Sequence, residues 1–363
     1  MIFKNLGNSD VKISPIGLGL GGNFGKGGDR ESIQLVKAAV NSGINFFDTA
    51  EVYLDGHSEE ILGRAIRGKR DKVIIASKFS PNHSTKRALV KALDGSLKRL
   101  KSEYIDLYQV HWPNLSVPLN ETISTLEAEA TKGKIRFIGV SNFSLLRIKK
   151  TLKKLKYFSL SSVQNEYNFS ERSSENEILP FCRKNQITFI AYNPLGPRFP
   201  LKVKKQSKLL VKLVKKYGKT ETQVVLNWLI SKKNVVAIPG TTSFAHLKEN
   251  VNSASFTLDK SDLDNFDKVF FQKIHLIPTD NIEVLDDKKT YLSLDEAVRN
   301  EKMFVPSPLE LSKEIKAGEF LKPIKVKKNK RRKRDYQLSG GKIRYWAWVI
   351  AFGGKRPIPA VIE

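Results

Sequence analysis

One cysteine, Cys182, is all the thiol the chain carries. That excludes an internal disulfide and any multi-cysteine zinc site, and no metal is expected; a reducing compartment is compatible with it. Long apolar runs are also missing. The start, MIFKNLGNSD, lacks the apolar core of a signal peptide, and the longest apolar block toward the end, YWAWVIAF, is too short to span a bilayer. A soluble, cytoplasmic protein with no membrane partner is the expectation. Acidic residues are scarce beside basic ones: 37 Asp and Glu stand against 63 Lys and Arg, a formal charge of +26. Such a balance raises nucleic acid as a partner. The excess is spread, however. Residues 272–363 hold 20 basic and 12 acidic residues, and lysines recur through KKTLKKLKYF and VKLVKKYGK. Spread charge aids solubility without making a binding stripe, so a lysine-rich solvated surface is the favoured reading of the main body.

What is present is an ordinary globular composition, 40% apolar and 28% charged, in 363 residues that suffice for one large domain or two. Short apolar runs alternate with helix-period segments. The runs are IGLGL (16–20), NFFDTA (45–50), KVIIASK (72–78), IDLYQVH (105–111), RFIGVSN (136–142), SSVQNEY (161–167), TFIAYNP (188–194) and NVVAIPG (234–240). Between them lie stretches such as RESIQLVKAAVNSG, with Asp29 expected as its N-cap and Gly43 as its stop, and KTETQVVLNWLISKKN, where Thr220 and Gln223 sit at capping-box spacing. Strand and helix repeated eight times predict an α/β fold, a (β/α)8 TIM barrel. In that fold the C-terminal ends of the strands form the rim where active sites lie. Asp48, Lys78, His111, Ser141, Asn142, Gln164, Tyr192 and the Pro239-Gly240 turn all fall there.

With these residues in order, residues 3–271 resemble the aldo-keto reductase family. The likeness rests on FFDTAEVYLDGHSEEILG, IIASK, IDLYQVHWP, IRFIGVSNF, VQNEYN, AYNPLG and IPGTTSFAHLKENV. It implies an NAD(P)H-dependent reductase of aldehydes or ketones, with Asp48, Tyr53, Lys78 and His111 as its catalytic tetrad. Hydride addition to a carbonyl leaves an alkoxide that needs a proton, and the resemblance makes Tyr53 the donor. A cation beside a phenol favours its ionised form, which is the implied role of Lys78, itself anchored by Asp48; His111 donates to the carbonyl oxygen. The resemblance also implies a nicotinamide cofactor at the barrel mouth. Ser141, Asn142 and Gln164 hold its carboxamide, Tyr192 stacks on its ring, and Leu20, Gly21 and Leu195 adjoin it; Gly240, Thr241, Thr242, Ser243, His246, Glu249 and Asn250 serve the adenosine end. Many members grip the 2'-phosphate with a lysine and an arginine where this chain has Gly240 and His246, so NADPH is favoured with NADH left open. Phe24, Leu54 and Trp112 are the expected substrate wall, for a small carbonyl compound.

The likeness ends near LDKSDLDNFDKVF, and residues 272–363 are expected to form a second, small α/β domain. A helix before PIKV, a strand entering a Gly-Gly turn, a helix with an early arginine and a closing IPAVI resemble the ParB and sulfiredoxin superfamily. The sulfiredoxin Cys and His are replaced by Lys342 and Ile343, so sulfinic acid reduction is not expected. Gly340, Gly341, Lys342 and Arg344 are a candidate phosphate site for a nucleotide or phosphorylated ligand, the alternative being a plain tight turn with solvated basic residues. The block KVKKNKRRKRD (325–335) reads either as a nucleic acid contact or as a solvated connection. A second function class stays open beside the enzyme: a regulatory protein that binds NADP(H) in the barrel and signals through the C-terminal domain.

Overall fold

The eight apolar runs all become strands of one parallel sheet. The computed structural model describes residues 1–196, 204–269, 273–285, 291–304, 306–318, 322–329 and 334–362. It divides into two compact units, one of Met1–Pro113, Val117–Phe143 and Arg147–Phe271, the other of Asn114–Ser116, Ser144–Leu146 and Gln272–Glu363. In the first, a hairpin of β1 (Lys4–Asn5) and β2 (Lys12–Ile13) precedes β3 (Leu18–Gly19), β4 (Phe46–Asp48), β5 (Ile74–Phe79), β6 (Ile105–Val110), β7 (Ile135–Ser141), β8 (Leu160–Glu166), β9 (Thr188–Tyr192) and β10 (Val235–Ala237). Each of β3 to β10 pairs in parallel with the next in sequence. Gly17 N donates to Ala237 O at 2.8 Å and Ala237 N to Pro15 O at 2.9 Å, so the first strand meets the last and the sheet closes into a barrel.

Between the strands run α1 (Asp29–Asn41), α2 (His57–Ala65), α3 (Lys86–Leu100), α4 (Leu119–Thr131), α5 (Leu145–Lys154), α6 (Ile178–Lys184), α7 (Lys204–Tyr217) and α8 (Glu221–Ile230), with α9 (Phe244–Asn252) and α10 (Lys260–Val269) after β10. Strand side chains alternate between two faces, which decides what each residue meets. Phe46, Ile74, Ala76, Leu107, Ile190 and Val236 fill the barrel interior with Leu6 and Ile13 of the hairpin. Their neighbours Phe47, Ile75, Tyr108, Val163, Phe189 and Val235 pack outward against the helices. Asp48 follows Phe46, and Lys78 follows Ile74 and Ala76, at even spacing. Both are therefore interior residues one step nearer the rim.

The expected capping box is present: Thr220 accepts from Gln223 N, and the Gln223 side chain accepts from Thr220 N at 3.1 Å. Gly43, at φ +89°, lies just beyond the end of α1. Asp29 is not a cap. It opens the first turn of α1 behind Gly28, and its carboxylate is taken by His57 Nε2 at 2.7 Å and by Arg64. An Asp at a helix start is expected to bond the backbone, but a cation and an imidazole on α2 compete for it.

The second unit holds β11 (Ile274–Ile277), β12 (Ile282–Glu283), α11 (Leu294–Arg299), α12 (Pro308–Lys316), β13 (Ile324–Lys328), β14 (Tyr336–Gly340), α13 (Lys342–Phe352) and β15 (Ile358–Ile362). Its sheet runs β11-β15-β13-β14-β12, and Ile277, Ile282, Ile324, Val326, Leu338, Tyr345, Trp346, Ile358 and Ala360 make a core of their own. The expected boundary at 271/272 falls on residues outside those described. Of the basic block, 325–328 belong to β13, Arg334 donates to Ile282 O at 3.0 Å, and 330–333 lie outside the described residues. Among the described residues no helix is long and apolar enough to cross a membrane.

Candidate active site

The rim residues converge because they lie at or just past the C-terminal ends of parallel strands of one barrel. They surround a cavity of about 340 Å³ lined by Gly19, Gly21, Gly22, Asp48, Tyr53, His111, Trp112, Ser141, Asn142, Gln164, Tyr192, Asn193, Ile238 and Gly240. Lys78 lies beneath its floor, fully buried. Its Nζ donates to Asp48 Oδ1 at 2.6 Å and to Thr49 O at 2.8 Å, and reaches Tyr53 Oη at 3.4 Å. The other Asp48 oxygen accepts from Gln164 Nε2 at 2.6 Å. A buried ion pair of this kind is costly to desolvate and survives only with its remaining lone pairs satisfied, which Gln164 provides for the carboxylate.

Burial works to lower the Lys78 pKa, but the Asp48 charge, with Tyr53 beside it, outweighs burial and leaves it above the ordinary lysine value. The group under the phenol is therefore an ammonium. His111 meets Tyr53 edge to face, with ring centroids 5.7 Å apart. Burial, then the Lys78 charge, pushes the His111 pKa down to about 3. Its imidazole is neutral at physiological pH and offers one N–H. Ser141 and Gln164 are paired across β7 and β8, and Asn142 follows at φ +62°. Asn142 Nδ2 donates to His111 O at 2.9 Å and to Ser141 Oγ at 3.1 Å, while Tyr192 Oη donates to Asn142 Oδ1 at 2.8 Å.

Not every expected residue borders this space. Gly21, Trp112 and Gly240 do, whereas Leu20, Leu54, Leu195, Thr241, Thr242, Ser243, His246, Glu249 and Asn250 do not. Phe24, expected in the substrate wall, is only 2% exposed and belongs to the hydrophobic core. Trp112, 43% exposed, is the aromatic at the mouth. Thr241 to Ser243 form the entry to α9, where Ser243 caps the helix by accepting from His246 N. Gly19, Gly22, Asn193 and Ile238 also line the cavity; each adjoins an expected rim or cofactor residue, Leu20, Gly21, Tyr192 or Pro239, and that adjacency is the signal the sequence offers for them. In the second unit Gly341 opens α13 at φ +81°, but Arg344 folds back and donates to Lys322 O at 2.9 Å. Among the described residues no group of His, Cys, Asp and Glu could hold a metal ion.

Residues 15–270 match the model of the Aldo/keto reductase family. Aldo-keto reductase YhdN of Bacillus subtilis is 40% identical over 209 residues, 54% of this chain and 62% of its own length; the chain thus spans under two thirds of that relative. Methylglyoxal reductase YeaE of Escherichia coli is 29% identical over 265 residues, 72% of this chain and 93% of its own. Among solved structures, thermostable aldo-keto reductase Tm1743 with the inhibitor epalrestat superposes with a TM-score of 0.70 at 37% identity, covering 74% of this chain and 100% of that one. An aldo/keto reductase from Klebsiella pneumoniae with NADP and acetate gives 0.66 at 30% identity, covering 73% and 94%. The chain, through its barrel, belongs to the aldo/keto reductase family.

Proposed function

We propose that the barrel mouth reduces an aldehyde or ketone to an alcohol with NADPH, and that Tyr53 supplies the proton. The observation that carries this reading is Lys78, a fully buried ammonium held 2.6 Å from Asp48 and 3.4 Å from the Tyr53 hydroxyl at the floor of an open cavity. The phenol oxygen is the third acceptor of the ammonium, and the same contact favours the phenolate once the hydroxyl gives up its proton.

The residues present fit a nicotinamide. Tyr192 offers a ring, while Ser141, Asn142 and Gln164 offer the donors and acceptors that a planar carboxamide needs. Gly19, Gly21, Gly22 and Gly240 keep one side free of side chains; at Gly21 a Cβ would already stand 3.1 Å from the Tyr53 ring. When bound, the reduced cofactor supplies the hydride for the carbonyl carbon. Tyr53 donates its hydroxyl proton to the oxygen as negative charge develops there, and the electron pair of the broken O–H bond stays on a phenolate beside the Lys78 ammonium. Neutral His111 donates its one N–H to the same oxygen and fixes its orientation. Asp48 holds the ammonium in place. The Klebsiella complexes with NADP and NADPH support the choice of cofactor. Thr241, Thr242 and Ser243 ahead of α9 can donate to a phosphate, but Gly240 and His246 offer no bidentate grip, so NADPH should bind tighter than NADH by a modest factor.

The direct test is NADPH oxidation by the full chain against a panel of carbonyl compounds, with Tyr53→Phe in parallel. Turnover of an aldehyde or ketone by the wild type is expected; no turnover of any, or equal turnover by Tyr53→Phe, contradicts the reading. For residues 272–363, taken as a separate domain beside 1–271, a ParB and sulfiredoxin-like fold is proposed. It is supported by the order α12, β13, β14, α13, β15. Engagement of Arg344 by Lys322 O speaks for Gly340-Gly341 as a tight turn.

A further inference from the structure

Tyr53 is carried by a turn that the backbone does not favour. Leu54 (φ 51°, ψ 42°) and Asp55 (φ 53°, ψ 37°) are both left-handed, and Gly56 follows at φ +90°. Left-handed geometry is disfavoured for residues that carry a Cβ, so the surroundings must hold it. What lies behind the turn is a connected set of buried and partly buried groups. The Arg99 side chain runs under Gly56 so closely that a Cβ there would stand 2.5 Å from Arg99 Nε. Arg99 Nε donates to Glu59 Oε2 at 2.7 Å, and its Nη2 to Ser96 Oγ at 3.2 Å. Glu59, in the first turn of α2 and fully buried, accepts with its other oxygen from Ser77 Oγ. Ser77 is the residue before Lys78 on β5. Beside Glu59, Ser58 Oγ donates to Leu20 O at 2.8 Å and lies 3.0 Å from Thr49 Oγ1, and Thr49 O is the second acceptor of the Lys78 ammonium.

We propose that Glu59 is a positioning residue for proton transfer, locking the turn that carries Tyr53 to the strand that carries Lys78. One carboxylate oxygen holds the arginine on which the turn rests, and the other holds the backbone neighbour of the lysine. The span being set is the 3.4 Å between Lys78 Nζ and Tyr53 Oη, already at the outer limit of a hydrogen bond. A shift of a few tenths of an ångström would uncouple the two. The inference rests on Tyr53 being the proton donor, and it assigns Glu59 no contact with substrate or cofactor.

The test is steady-state kinetics of Glu59→Gln, Ser77→Ala and the double variant in the full chain, with NADPH affinity measured by fluorescence quenching and Tyr53→Phe as reference. Misplacement of reacting groups costs up to about 100-fold in rate. Glu59→Gln should lose about 10- to 100-fold in kcat, and Ser77→Ala a smaller factor, with KM and NADPH affinity held within about twofold. The double variant should fall short of the product of the two losses, since both break one linkage. Wild-type kcat in both single variants overturns the proposal. So does a parallel loss of kcat, NADPH affinity and thermal midpoint, which is the signature of a general structural role. If Glu59→Gln does not fold, Ser77→Ala decides by the same outcomes. An active Tyr53→Phe would instead bring down the proton-donor reading, while an inactive Tyr53→Phe beside unaffected Glu59 and Ser77 variants removes only the role of Glu59.

Discussion

The charge states of Lys78, fully buried, and of His111, half-buried at the cavity, decide what this site can do. His111 is held neutral by burial and by the Lys78 ammonium, with its pKa near 3. Activity should therefore show no imidazole limb between pH 5 and 8. His111→Gln, measured as kcat/KM against pH, should lower the plateau about 100-fold without moving the acid limb; a limb near pH 6 to 7 that vanishes in the variant would contradict a neutral His111. Stability carries the same signature. The unfolded chain takes up a proton on this histidine near pH 6.5 and the folded chain only near 3, so stability falls as pH drops from about 6.5 toward 3. Urea midpoints at pH 4 and 7 should differ less for His111→Gln than for the wild type. At this scale the sequence was informative where a residue ends a strand: Asp48, Lys78, His111, Ser141 and Gln164 could be placed from the apolar runs before them. It was mute on Glu59 and Arg99, whose partners lie 18 and 40 residues away and whose helical setting reads as a solvated charged face.

Helix α2 is the element on which the site hangs, since it follows the Tyr53 turn directly. It packs on α3 at Gly63, where a Cβ would stand 2.5 Å from Leu100 O. Gly63→Ala must push the two helices apart, and overpacking of this sort costs about 1–3 kcal/mol; chemical denaturation should record that loss, and an unchanged midpoint would show that the contact yields. The caps give a second comparison. Thr220→Ala, which breaks a complete capping box, should cost about 1 kcal/mol. The eight barrel strands were legible as short, continuous apolar runs ending in a polar residue, and α1 and α8 as helix-period stretches between them. Asp29 was misread because a carboxylate at a helix start has two kinds of partner, and sequence spacing does not reveal the His57 and Arg64 side chains that take it. Phe24 differs for a similar reason: an aromatic in a glycine-rich loop reads as a wall, and local sequence does not show that it packs into the core.

At the scale of the whole molecule there are two units with separate cores, and only the first contains the proposed NADPH site. Calorimetry of the full chain should resolve two transitions. NADPH at a hundredfold its Kd should stabilise the barrel by about 2.7 kcal/mol and leave the other transition in place; a shift of both would couple the units. The alternation of runs across the first 240 residues made the barrel readable, and the family motifs fixed its mouth. The second unit offered fewer motifs, so its elements could be drawn but its role could not. The central claim, that Tyr53 is the proton donor of an NADPH-dependent carbonyl reductase, is tested most directly by Tyr53→Phe, measuring its NADPH affinity and its kcat on the best carbonyl substrate side by side. The account predicts affinity unchanged within about twofold and kcat lower by about 10²- to 10⁴-fold. Wild-type turnover by the phenylalanine variant would contradict it.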